Sequence, residues 1–131
     1  MPFSLQQDPG SGVVVGTCTG MLNAADARKG AATFWANPAW SGSPVVWDFR
    51  AAQFDVPAPE IRDMARFILE NQPPTPPPRV AFVTTRDVDF GLARIFEVHR
   101  EHPATIFRVF RDFDEAVSWA RGHGSTGQER A

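Results

Sequence analysis

Three compact apolar runs separated by amphipathic segments constrain this chain most. PVVWDF at residues 44–49, RVAFVTT at 79–85 and ATIFRVF at 104–110 are β-branched, aromatic and short, as buried strands are. Between the first two lie Ile61, Met64, Ala65, Ile68 and Leu69, spaced i, i+3, i+4, i+7 and i+8, the strongest helical stripe in the sequence. A second helix is predicted from Asp87 to about Glu101, bounded by Pro103, with Val88, Gly91, Leu92 and Ile95 on its inner face. Phe90, Ala93 and Phe96 widen that stripe, which implies burial against more than one surface. Gly91 costs about 1 kcal/mol against Ala inside a helix, so a close backbone approach is expected there.

The same reasoning extends to both ends. Residues 3–7 and 13–22 read as strands, and DPGSG between them is a turn, so an antiparallel hairpin opens the chain. Asn23 and Asp26 stand at capping-box spacing before a helix whose Ala27, Ala31, Phe34 and Trp35 share a face. Asn37-Pro38 stops it. PVVWDF is read as a strand followed by a short loop, with Pro57 or Pro59 in the first turn of the next helix. NQPPTPPPR, residues 71–79, is a stiff connector, its five prolines also resembling a PPII ligand. Asp112 and Glu115 open a last helix striped by Phe113, Ala116, Val117 and Ala120, with Gly122 at C′. The order is ββαβαβαβα: an α/β fold with a mixed sheet, an N-terminal antiparallel hairpin, then parallel strands with flanking helices.

At 131 residues the expectation is one domain over residues 1–122 and a polar, disordered tail over 123–131. A net charge of −2 advertises no nucleic-acid partner. No apolar run approaches the ~20 residues of a membrane span. The N-terminus lacks the basic and apolar regions of a signal peptide, so a cytoplasmic setting is expected. Cys18, the single cysteine, reads as a small buried hydrophobe.

Catalytic and cofactor motifs are missing. Gly10, Gly12 and Gly16 precede and enter a strand, so they do not open a helix beneath a phosphate, and neither G-x-G-x-x-G nor G-K-[ST] occurs. There is no G-x-S-x-G elbow. His99 and His102 have no third metal partner signposted, and Asp87 and Asp89 read as first-turn acids favoured by the helix dipole. No enzyme activity, cofactor or metal is therefore expected.

Three stretches together carry a family likeness. PVVWDFRAAQFD, RVAFVTTRDVDFGLARIFEVHRE, within which FGLARIFE is the most specific, and TIFRVFRDFDEAVSWA resemble the SpoIIAA-like branch of the STAS superfamily, over about residues 3–120. The resemblance implies a STAS-like mixed sheet flanked by helices, and relatives that are non-enzymatic anti-sigma-factor antagonists. Those antagonists carry a phosphorylatable serine after an aspartate, at the start of the helix following the central strand. Here that site falls on Val56-Pro57, with Asp55 one position early, so the phosphoserine switch is not carried over. The branch has also been likened to lipid-transfer domains of the CRAL-TRIO type.

The expectation is thus a non-catalytic STAS-like interaction module with a regulatory role, with a carrier or sensor of an apolar or amphipathic, lipid-like small molecule as the alternative. Ligands of open α/β sheets sit at the C-terminal ends of the strands. That rule selects Asp48, Arg50, Phe54, Thr84, Thr85 and Arg86, with Phe90 and Arg94 on the adjoining helix. Arg50 and Arg86 would orient a polar group, and Phe54 and Phe90 would supply apolar contact. The expected partner is a protein or an apolar small molecule. A homodimer is expected to use either the Phe90–Phe96 helix or the open hairpin edge.

Overall fold

The structure, a computed structural model, describes residues 3–99 and 104–122. The predicted tail, Glu101, His102 and Pro103 lie outside the described residues. The elements run β1 (Phe3–Gln7), β2 (Val14–Leu22), α1 (Ala24–Trp35), β3 (Val45–Phe54), α2 (Ala58–Glu70), β4 (Arg79–Val83), α3 (Asp87–His99), β5 (Ile106–Phe110) and α4 (Phe113–Ala120). A 3-10 turn at Pro38–Trp40 follows α1. The sheet order is β1-β2-β3-β4-β5, antiparallel between β1 and β2 and parallel thereafter.

The caps that the residues predict are formed. Asp26 N–H donates to Asn23 Oδ1 at 2.8 Å, and Asn23 N–H to Asp26 Oδ2 at 3.1 Å. Pro57 is the extended N-cap of α2, and Pro59 sits in its first turn. Asp112 accepts from Glu115 N–H at 2.9 Å, and Gly122 follows the C-cap of α4 with φ 97°. The proline connector is packed into the protein: Pro77 is buried, its carbonyl accepts from Thr105 Oγ1 at 2.8 Å, and the Pro78 carbonyl accepts from Ile106 N–H at 2.9 Å. That suits a rigid loop better than a docking peptide.

The two sheet faces have different partners. Val14, Val45, Val80 and Phe107 meet α1, α2 and α3 through Phe34, Ile61, Met64 and Phe96. Val13, Val46, Ala81 and Val83 meet Ala116, Trp119 and Ala120 of α4. Alternate residues of one strand thus enter opposite cores, as the two-residue period requires.

Two predicted features are corrected. β3 does not end at Phe49 in a loop; it continues to Phe54, paired with β2 alone beyond Asp48. On α3 Leu92 and Ile95 pack against the core as expected, but the fully buried positions are Asp89, Ala93 and Phe96, so the inner face is centred about one position round from the expected stripe. Val88 is exposed, and a Cβ at Gly91 would meet nothing within 4 Å, so no close approach explains that glycine.

Candidate functional site

The β2–β3 pairing carries the local irregularity that builds the site. Thr17 pairs with Asp48, but Thr19 pairs with Ala51, so Phe49 and Arg50 together oppose Cys18. One extra residue reverses the facing of everything after it. Before the bulge, Val46 packs toward α4. After it, Ala52 joins Phe3, Cys18 and Leu22 in a cluster that Trp47, Phe49 and Phe54 pack against.

Beneath α1, α2 and α3 this arrangement leaves a cavity of about 80 Å³. A single water needs only about 15 Å³ by the same measure. The sheet supplies Cys18, Leu22, Trp47, Phe49, Phe54 and Phe82 to its wall, α1 supplies Ala27, Gly30 and Ala31, and α2 and α3 supply Ile61, Met64, Leu92, Ala93 and Phe96. Phe49 stands edge-on to Phe54 and to Phe82, centroids 4.8 and 4.9 Å apart, and Phe82 is edge-on to Phe107 at 4.6 Å. Gly16 lets Trp47 lie close against β2: a Cβ there would stand 2.5 Å from the indole.

Little in the wall is polar. The Asn23 and Asp26 side chains cap α1. Burial pushes the Cys18 thiol up to about 12, and the Asp48 carboxylate adds to the rise, so it is a neutral, apolar wall group.

The eight residues predicted to bind fall into separate places. Phe54 alone lines the cavity. Asp48 and Arg50 lie together: Asp48 is buried and takes Arg50 Nε at 2.8 Å and Nη2 at 2.9 Å, while the guanidinium lies 4.5 Å from the Phe113 ring centroid. Burial alone would raise the Asp48 carboxyl; the hydrogen bonds and charge of Arg50 outweigh it and hold it below the usual value. Thr84 is buried, Thr85 is exposed with its carbonyl accepting from Arg111 at 3.2 Å, and Arg111 lies 4.3 Å above the Phe90 ring. Arg86 pairs with Asp89 at 3.6 Å, and Arg94 with Glu97 at 2.9 Å. The strand order has no reversal, and hence no switch point to open a crevice at the strand ends.

Asp89 is more than a first-turn acid. It is 3% exposed, and its Oδ1 accepts from Phe54 N–H at 3.1 Å, tying α3 to the end of β3 beside the cavity. Among the described residues no three His, Cys, Asp or Glu side chains come together where a metal could sit. Nor is any helix long and apolar enough to cross a membrane.

An α/β sheet wound in sequence order, with three crossover helices on one face over an apolar hollow, defines the class. No family model matches the chain, and no curated protein matches it. Among solved structures it is similar to an uncharacterised protein of the DUF3478 family with a SpoIIAA-like fold, from Shewanella loihica PV-4. The match covers 90% of this chain and 91% of that one, with a TM-score of 0.58 and 15% sequence identity. The fold is SpoIIAA-like, as the resemblance implied.

Proposed function

We propose that this is a non-catalytic binding domain whose ligand is an apolar or amphipathic small molecule held under α1, α2 and α3. The observation that carries the reading is the cavity of about 80 Å³ walled by hydrocarbon, aromatic rings and sulfur. Burying an alkyl chain there is favourable by roughly 0.8 kcal/mol per methylene. Val56, matched to the aspartate of the antagonists' Asp-Ser pair and followed by Pro57 at the serine's place, is buried and lines the same cavity. The joint therefore serves the hollow, and Asp55 and Pro57 supply no hydroxyl. Native mass spectrometry of gently purified protein tests the reading. A retained small-molecule mass is expected; a bare chain that also takes up no added alkyl compound would overturn it.

The interaction-module reading rests on a different observation. At the strand ends, half-exposed Arg50 and exposed Arg111 lie over Phe113 and Phe90, a cationic and aromatic rim that suits a protein surface. Replacing both arginines by alanine should abolish such an interaction and leave ligand uptake intact. A homodimer belongs to this second reading and would use an open edge, β1 or β5. Phe96 is core, so that side of α3 does not face a second copy. Light scattering measures the mass directly.

A further inference from the structure

A second hollow of about 50 Å³ lies against the first and shares Ala31, Trp47, Ile68, Phe82 and Phe96 with it. It reaches Gln72, just past the C-terminus of α2. Both Nε2 and Oε1 of Gln72 are shut off from solvent and have no hydrogen-bond partner among the described residues. A buried carboxamide is costly to leave unpaired, so a native fold normally provides something for it to bind. The side chains around it are hydrocarbon, aromatic or proline: Phe34, Val45, Pro77, Val80 and Phe107 among them. A lone water there would find the carboxamide and little else, where buried waters usually have about three partners.

We infer that Gln72 is the polar anchor of the ligand, which is a single-chain amphiphile with one uncharged hydrogen-bonding head group seated at Gln72 and its alkyl chain in the larger hollow. This rests on the cavity-binding reading above. A carboxamide offers one acceptor and an N–H₂ donor, the complement of a protonated carboxylic acid, a primary amide or an alcohol. No Lys, Arg or His lines either hollow, and the hollow around Gln72 holds no acid either, so an ionised head seated there would be buried without a counter-charge. The head is therefore neutral when bound.

The probes are 1-octanol, octanamide, octanoic acid and n-octane, titrated against ¹⁵N-labelled protein and its Gln72→Met variant. In the unaltered protein the amide and alcohol bind about tenfold more tightly than octane, and the Gln72 side-chain N–H₂ signals move on binding. Octanoic acid gains affinity as pH falls toward its own pKa. Gln72→Met retains octane, loses the preference for a head group, and melts a few degrees higher without ligand because an unpaired polar group is gone. A preference that survives in Gln72→Met, or Gln72 signals that stay still while cavity amides shift, would overturn the inference and leave the cavity reading standing. If none of the four probes binds, the cavity reading falls, and this inference with it.

Discussion

Gly16 and Gly91 both sit inside regular elements and should respond oppositely to a methyl group. Gly16→Ala drives a Cβ to 2.5 Å from Trp47 and 3.0 Å from Leu5, and overpacking of this kind costs about 1–3 kcal/mol. Gly91→Ala meets nothing within 4 Å and should stabilise by about 1 kcal/mol, the helix-propensity difference alone. Urea midpoints measure both; equal midpoints would contradict the packing described here. Asp48 governs the acid side of stability. Its folded pKa is depressed, so its contribution is present above the unfolded value of about 3.9 and is lost as pH falls through the folded one. Arg50→Met should lower neutral stability by about 1–3 kcal/mol and move acid unfolding to higher pH. Glu97 works the other way: burial raises its carboxyl despite Arg94 and Arg108, so its charged form is the costlier one in the fold. Gln72 and Asp89 were the residues hardest to foresee, because a polar side chain gives no periodic signal of burial.

At the scale of elements, the caps and strand cores could be read directly. Asn23–Asp26, Asp112 and Gly122 act within a few residues of themselves, and local chemistry is what a linear sequence displays. The C-terminal half of β3 could not be read that way. RAAQF breaks the two-residue alternation because Phe49 and Arg50 share one place opposite Cys18, and a bulge looks like a loop until its partner strand is known. The face of α3 was displaced for a related reason. Hydrophobicity places Val88 inward and Asp89 outward, but the Phe54 N–H and Arg86 give Asp89 partners inside. Asp89→Ala should therefore cost about 1–3 kcal/mol and speed hydrogen exchange at the Phe54 amide. Unchanged protection at Phe54 would show that the tie contributes nothing.

For the whole molecule, the question is where a singly wound sheet keeps its free space. With α1, α2 and α3 on one face and α4 on the other, the strand ends form a rim and the hollow lies beneath the helices. Ala27 lines that hollow and is half-buried. Ala27→Leu should fill part of it, raise stability by about 0.5–2 kcal/mol and abolish uptake of alkyl ligands. Thermal melts with and without 1-octanol check this; a variant that still gains stability from octanol would move the binding site elsewhere.

Element order, the hairpin, the parallel run of strands and the caps were determined by the sequence alone, because hydrophobic period and turn chemistry act over neighbouring residues. The SpoIIAA-like likeness was carried by the same local stretches. Tertiary structure alone decided which face of β3 and α3 turns inward, and that seven of the eight predicted binding residues stand away from the cavity. It also decided that the Gln72 carboxamide is shut off from solvent without a hydrogen-bond partner among the described residues. Each of these depends on what another strand or helix presents at a distance, and so on pairings that no single stretch of sequence contains.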